Sequence, residues 1–116
     1  MFRIEGTKIF LTRGDSMCVQ VGIIKDGAAY TPASGDSIRF ALKHADMTPN
    51  KNSFKDASPV LIKTIPISTM QLKLKPEDTK KLKFGQYVYD IEITFANGDV
   101  DTFIPAASFE LLPEVD

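Results

Sequence analysis

Side chains that could catalyse a reaction or hold a metal are few in this sequence. His44 is the only histidine and Cys18 is the only cysteine, so no site can be built on a pair of histidines. With Asp46, His44 could donate two metal ligands, whereas a structural zinc site needs about four. We interpret His44 as a solvated loop residue. We expect no catalytic residue, no metal site and no bound cofactor.

Two short polar patterns each have a functional and a structural interpretation. The sequence "NGDVD" places Asp99 and Asp101 on one side of a predicted strand, where two carboxylates could bind calcium. It lacks the remaining ligands of an EF-hand loop, so we interpret these residues as solvent-facing acids beside a hairpin. Arg13-Gly14-Asp15 matches the tripeptide that integrins recognise. It lies where a turn should lead into a strand, and we favour the turn.

The stretch "LKFGQYVYDIEITFANGDVDTF" contains the most suggestive aromatic residues. Tyr87 and Tyr89 could form a stacking platform for a sugar or a base. They share a strand face with Ile91 and Ile93, which favours a place in the core with the hydroxyl groups bonded at the rim. Tyr87 lies just inside a predicted strand after the glycine of "LKFG" and resembles the corner tyrosine of Greek-key sandwiches. Asp90 lies on the opposite face, either exposed or paired with a lysine or arginine on a neighbouring strand.

An enzyme would need more than isolated acids. Paired carboxylates of the kind that hydrolyse glycosides cannot be judged by counting acidic residues alone. No insertion that would form a cleft and no lining of aromatic residues accompanies the acids of this sequence. We therefore expect a protein that is not an enzyme.

Apolar and polar residues alternate with a period of two along much of the chain, which predicts an all-β fold. The clearest runs are "SMCVQVGII", "SIRFALK", "TMQLKLK" and "GQYVYDIEITF". The residues expected to face inward are Met17, Val19, Val21, Ile23, Ile38, Phe40, Leu42, Met70, Leu72, Leu74, Tyr87, Tyr89, Ile91, Ile93 and Phe95, and those facing outward include Arg39 and Lys43. The last run has the longest apolar face, which predicts the longest strand and a central one.

Glycine, asparagine and proline mark the connections between these strands. The N-terminal runs "FRIEG" and "KIFLT" predict a strand that is bent or interrupted at Gly6. Pro66 should stop "VLIKTI" or place it at a sheet edge. Asn97-Gly98 predicts a type I′ hairpin turn, which needs positive φ at both central residues. The chain then returns as "DVDTFIP", and "SFELL" continues or re-enters the sheet beyond Pro105.

The remaining signals are three turns, one helical segment and one loop. The pairs Gly14-Asp15, Gly35-Asp36 and Gly98-Asp99 each precede a predicted strand, as expected for turns. Residues 76–82, "PEDTKKL", predict a short helical turn because proline and two acids open it. Residues 44–59 lack periodicity and predict a surface loop. About seven strands favour a single domain, residues 1–116, with two packed antiparallel sheets, and a small β-barrel is the alternative.

The composition excludes several classes of partner. The chain has 14 Lys and Arg against 15 Asp and Glu, so no net field draws it to nucleic acid or to an acidic membrane. Charged residues interrupt the start, "MFRIEGTKIF", where a secretory signal would be apolar. The single cysteine cannot form an internal disulfide, which fits a reducing compartment. We expect a protein that is made in the cytosol and stays soluble.

The order of these elements resembles a family of small immunoglobulin-like (Ig-like) proteins and domains encoded by phages and prophages of Gram-positive bacteria. The resemblance covers residues 12–115, and its segments include "TRGDSMCVQV", "YTPASGDSIRFALK" and "FELLPEV". It is most specific within residues 74–102. The residues that match the family pattern there are Pro76, Asp78, Thr79, Leu82, Gly85, Tyr87, Tyr89, Asp90 and Ile91.

The resemblance implies an Ig-like β-sandwich with a structural role in a phage tail or baseplate, similar to the N-terminal domain of baseplate upper proteins. It implies no catalysis, because the matched residues are turn and core positions. The expected partners are other tail or baseplate subunits, or further copies of the chain itself, and not nucleic acid or membrane. The protein would be made in the bacterial cytoplasm and incorporated into the virion. The alternative is a cell-surface or carbohydrate-binding β-sandwich.

Overall fold

The structure, a computed structural model, describes residues 2–25, 27–44 and 59–113. Within these ranges the chain forms ten strands and one short helix. The strands are β1 Phe2–Glu5, β2 Lys8–Thr12, β3 Met17–Gln20, β4 Ile23–Lys25, β5 Ala28–Tyr30, β6 Ser37–His44, β7 Leu61–Ile65, β8 Gln71–Leu74, β9 Gly85–Thr94 and β10 Val100–Leu112, and the helix is α1 Pro76–Thr79. The prediction of an all-β chain is confirmed.

Six of the strands form the main sheet, in the order β1-β2-β10-β9-β6-β7. β3 pairs with β8, and β4 pairs with β5, in two further antiparallel sheets of two strands each. Neighbours in the main sheet are antiparallel except β2 and β10, which run parallel with Phe109 beside Ile9. The sequence pattern predicts antiparallel sheets and does not predict this parallel contact.

One hydrophobic core joins the main sheet to the β3-β8 pair. The most deeply buried members are Leu11, Met17, Ile38, Phe40, Leu42, Ile65, Leu72, Leu74, Tyr87, Ile91, Ile93, Phe109 and Leu111. The alternation predicted for β6 and β9 is confirmed, since every predicted inward residue of these strands is buried. Burial of apolar surface from both layers is the main stabilising contribution.

β10 differs from the predicted strand. It has 13 residues and β9 has 10, so β9 is not the longest strand, although its central place in the sheet is confirmed. Its register against β9 shifts between Thr102 and Ile104 and again between Ile104 and Ala107, and the second shift contains Pro105. Proline cannot donate a ladder hydrogen bond, and it is tolerated in paired strands mainly at such irregularities. "DVDTFIP" and "SFELL" are therefore one continuous strand.

The turn between β9 and β10 is not the predicted type I′ turn. Only Gly98 has positive φ, at 94°, and Asn97 does not. The Gly98 amide donates to the Phe95 carbonyl at 2.8 Å, and the Phe95 amide donates to the Asp99 carbonyl at 2.7 Å. These bonds define a three-residue loop in which glycine occupies the left-handed position. The hairpin is located as predicted and is one residue longer.

The N-terminal strand is divided rather than bent. Gly6, with φ of 64°, and Thr7 form a two-residue turn that reverses the chain between β1 and β2. A glycine at the first central position is typical of a type II′ turn. β1 is thereby placed at one end of the main sheet, with its second edge unpaired in the described structure.

The helical segment and the proline-ended strand lie where the sequence predicts them. α1 begins at Pro76 but ends at Thr79, so it is shorter than residues 76–82. Its Asp78 carboxylate accepts a hydrogen bond from the Lys75 amide at 2.7 Å, which caps the first turn. β7 ends just before Pro66 and forms the other edge of the main sheet. In the described ranges no helix has the length and apolar character needed to cross a bilayer.

Candidate docking surface

The Arg13-Gly14-Asp15 sequence forms the predicted turn, and neighbouring elements hold it. The Gly14 amide donates to the Thr79 hydroxyl of α1 at 2.9 Å. The Arg13 guanidinium donates to the Leu82 carbonyl at 3.2 Å and lies 5.3 Å from the centre of the Phe84 ring. Thr79 is fully buried, so this contact anchors the turn to the segment before β9. The arginine is engaged within the fold rather than projecting from a loop tip.

His44 ends strand β6 instead of lying in a loop. It is exposed, and its ring stacks on Tyr87 with 5.2 Å between the ring centres. Asp46, its suggested partner as a metal ligand, lies outside the described residues, as do residues 45–58 of the predicted loop. Among the residues that are described, no three histidine, cysteine or acidic side chains come together as a metal site would require.

The acids of the β9-β10 hairpin lie in solvent, as predicted. Asp99 and Asp101 are both exposed. The Asp99 amide donates to the Asn97 side-chain carbonyl at 2.9 Å, and the Asn97 amide group donates back to the Asp99 carboxylate at 3.3 Å. These bonds stabilise the turn locally, which is the structural interpretation of "NGDVD".

The two tyrosines of β9 belong to the core. Tyr87 and Tyr89 are 2% and 4% exposed, which leaves no ring face open for a sugar or a base. The Tyr87 hydroxyl donates to the Lys83 carbonyl at 2.5 Å, and the Tyr89 hydroxyl donates to the Thr7 carbonyl. Burial raises the pKa of both phenols, with Arg13 opposing the rise at Tyr87. The predicted arrangement of buried rings with bonded hydroxyls is confirmed.

Asp90 lies on the other face of β9, within a cluster of four charged residues. Its carboxylate is 3.9 Å from both the Arg39 guanidinium and the Lys43 ammonium. Glu92 is 3.2 Å from the same arginine. The Lys43 side chain is only 9% exposed, although the sequence predicts that it faces outward into solvent. The Asp90 carboxylate helps to offset the cost of holding this cation out of water. Of the two predicted states of Asp90, the paired one is confirmed.

Asp90→Ala should destabilise the protein more than its surface position suggests. We expect the free energy of unfolding to fall by about 1–2 kcal/mol, because Lys43 would lose an anionic neighbour while its side chain stays largely desolvated. Glu92→Ala is the matched control. It removes a pair with the half-exposed Arg39 and should cost less than about 1 kcal/mol. Urea unfolding of the two variants gives both values, and equal losses would contradict the role of Lys43 burial.

Among the described residues, two groups of exposed large apolar side chains lie beside cavities, on β1 and on the β4-β5 ribbon, and the exposed set as a whole is Phe2, Ile4, Ile24, Ile62, Phe84 and Val100. On β1, Phe2 and Ile4 are each 40% exposed. Ile4 also borders a cavity of 260 Å³ that reaches inward past Ile9 and Val19 to Tyr89. This cavity lies where β1 and the edge strand β3 leave the core partly uncovered. The sequence suggests an edge position for the strand that Pro66 ends, which is β7, but it does not identify β1 as the other edge.

The β4-β5 ribbon carries the most exposed large apolar residue among those described. Ile24 is 75% exposed, whereas its neighbour Ile23 is 6% exposed and anchors the ribbon in the core. Tyr30 packs edge-on against Phe95 with 5.7 Å between ring centres. Ile24 borders a groove of 370 Å³, whose further lining includes Pro32, Ile67 and Met70.

These two regions form the candidate docking surface, which we define as strand β1 with its cavity and the Ile24 groove. Sequence reasoning missed the groove, since it treats "SMCVQVGII" as one strand and assigns its last residue, Ile24, to neither face. The structure breaks that run at residues 21–22 and turns the chain into a separate ribbon. The adjacent isoleucines Ile23 and Ile24 break the alternation, and that break is the signal in the sequence that could have located it.

Comparisons of the chain with protein-family models, with curated proteins and with solved structures find no match.

Proposed function

We propose that the protein is a non-enzymatic structural component of a phage or prophage virion, of the tail or baseplate type, that acts by docking to other subunits. The observation that carries the proposal is the exposed apolar surface on β1 and on the β4-β5 ribbon. Apolar side chains grouped on short edge strands are typical of surfaces that another protein covers. The resemblance of residues 12–115 to phage immunoglobulin-like domains indicates which kind of assembly would supply that protein.

We also propose that the fold is an immunoglobulin-like β-sandwich. The order β10-β9-β6-β7 corresponds to strands G, F, C and C′ of a variable-type domain, and the β3-β8 pair corresponds to B and E. Tyr87 supports the same assignment. It lies near the start of β9, which takes the place of strand F, and its hydroxyl donates to a carbonyl four residues upstream, as in a tyrosine corner.

Co-expression with phage tail and baseplate subunits, taken from the genes that neighbour this one, tests the functional proposal. We expect the protein to co-purify with at least one of them. Ile24→Ser should weaken that complex by about tenfold or more, because it removes an exposed apolar anchor. The same change should alter stability by less than about 0.5 kcal/mol, since Ile24 lies mostly in solvent.

Val100→Ser is the matched control for Ile24→Ser, since Val100 is 58% exposed and lies on the β9-β10 hairpin, outside the candidate docking surface. It should leave the complex intact. A chain that binds none of the neighbouring tail or baseplate subunits would contradict the proposed function.

A further inference from the structure

Strand β1 is an edge of the main sheet within the described residues, and it has fewer blocks to pairing than the opposite edge. Exposed edges are normally blocked by proline, by charged side chains and above all lysine, by a bulge or by being very short. The opposite edge, β7, has such features, since Pro59 and Pro66 flank it and Lys63 lies within it. β1 has only four residues and carries Arg3 and Glu5, but these charges are opposite in sign, the strand contains neither proline nor lysine, and its register against β2 is unbroken. β1 can therefore accept another strand.

The turn that ends β1 determines which of its backbone groups are available. In a hairpin with a two-residue turn, the flanking residues, here Glu5 and Lys8, share both ladder hydrogen bonds. The bonded pairs then alternate along the ladder, so Arg3 also bonds to β2. The amide and carbonyl groups of Phe2 and Ile4 point away from β2, toward the unpaired edge.

We propose that a second copy of this chain occupies that edge, with the two β1 strands antiparallel and Ile4 opposite Ile4 of the second copy. The inference rests on the proposed docking function and names one partner for it. The contact is isologous, so a single two-fold axis relates the copies. The two six-stranded main sheets would join edge to edge into one sheet.

The charges on β1 select this register. A residue whose amide and carbonyl groups point to the unpaired edge must lie opposite a residue of the same kind in the second copy. Phe2 and Ile4 are the residues of this kind, which leaves three antiparallel alignments. Phe2 opposite Phe2 overlaps only the strand ends. Phe2 opposite Ile4 places Arg3 against Arg3, a like-charge pair that destabilises a ladder. Ile4 opposite Ile4 places each Arg3 against Glu5 of the other copy, so both cross-strand pairs have opposite charges.

The same register also covers apolar surface. Arg3 and Glu5 form an ion pair of 2.9 Å on one face of β1, and Phe2 and Ile4 lie on the face toward the core. Because the two-fold axis is perpendicular to the sheet, the core-facing surfaces of the two copies lie on the same side of the joined sheet. Each Ile4, 40% exposed in the single chain, would contact its counterpart and close the mouth of the cavity that it borders. Charge and apolar contacts therefore favour the same alignment.

Charge reversal followed by mixing tests the pairing. By sedimentation velocity at high micromolar concentration, we expect the unmodified chain to be a dimer. Arg3→Glu alone and Glu5→Arg alone should each weaken the dimer by about tenfold or more, because like charges would then face each other at both cross-strand pairs. The two variants mixed in equal amounts should form a heterodimer, since every cross-strand pair in it has opposite charges again.

Ile4→Pro is a second test that leaves the β1-β2 bonds in place, because the Ile4 amide points outward and is not used in the hairpin. It should abolish the dimer while circular dichroism stays unchanged. An unmodified chain that is monomeric, an Ile4→Pro variant that stays dimeric, or a mixture that fails to associate would each overturn the proposal. A monomer that still binds tail subunits would overturn only the self-pairing, and a dimer that binds none would overturn only the proposed function.

Discussion

Replacing Tyr87 by alanine is expected to lower the free energy of unfolding by about 3 kcal/mol or more. The ring is 2% exposed and belongs to the core cluster, where surrounding side chains cannot collapse fully into the space that it leaves. The change also removes the hydroxyl group that bonds the Lys83 carbonyl and the surface on which His44 stacks. Urea unfolding followed by circular dichroism measures the loss.

Tyr87→Phe separates the two contributions. It keeps the ring and removes only the hydroxyl group, so it should cost about 1 kcal/mol, the typical net value of one hydrogen bond. Alanine and phenylalanine variants of nearly equal stability would mean that the corner hydrogen bond dominates and that the ring packs loosely. An alanine variant as stable as the unmodified chain would contradict the core assignment of this tyrosine.

The strands of this fold are predictable because their pattern is local. An antiparallel strand with one buried face must alternate along its own sequence, and β6 and β9 do so. The prolines and glycines that end strands also act locally, so Pro66 and the position of the β9-β10 hairpin are correctly predicted. The burial of Tyr87 and Tyr89 is predictable for the same reason, since they share a strand face with Ile91 and Ile93.

The features that the sequence does not predict depend on contacts between distant parts of the chain. The parallel pairing of β2 with β10 joins the two ends of the sequence, and no local signal encodes it. The alternation predicts that Lys43 of β6 faces solvent. Its burial depends on neighbours from other parts of the chain, such as Asp90 of β9, which the local pattern does not contain. The Asn97-Gly98 sequence favours a two-residue turn, but the register of β10 against β9 requires one residue more.

The candidate docking surface also combines features that are encoded locally with features that depend on the whole sheet. Alternation predicts that an edge strand exists, but the order of strands decides which one it is, and that order is a property of the whole sheet. β1 becomes an edge because Gly6 and Thr7 reverse the chain, where the sequence predicts a strand that is bent or interrupted at Gly6 but does not predict a reversal. The pairing register of a second copy then follows from only Arg3 and Glu5, residues whose significance appears once the edge is known.

Asp36 is a further case, in which a residue predicted only as part of a turn links three segments. Its carboxylate accepts hydrogen bonds from the Tyr30 hydroxyl at 2.6 Å, the Ala33 amide at 2.9 Å and the Ala96 amide at 3.0 Å. The same carboxylate raises the pKa of Tyr30, chiefly through their hydrogen bond. The side chain therefore holds the end of the β4-β5 ribbon against the β9-β10 hairpin.

Asp36→Ala is expected to lower the free energy of unfolding by about 3 kcal/mol, because hydrogen bonds to a charged group are strong and their donors would be left without this acceptor. Asp99→Ala is the matched control. It also follows a glycine at a strand entry but is exposed, and it should cost less than about 1 kcal/mol. Both values come from urea unfolding. Since Asp36 also positions the ribbon that carries Ile24, its loss should weaken docking even where the fold survives. Equal stability losses for the two variants would mean that Asp36 serves only its own turn.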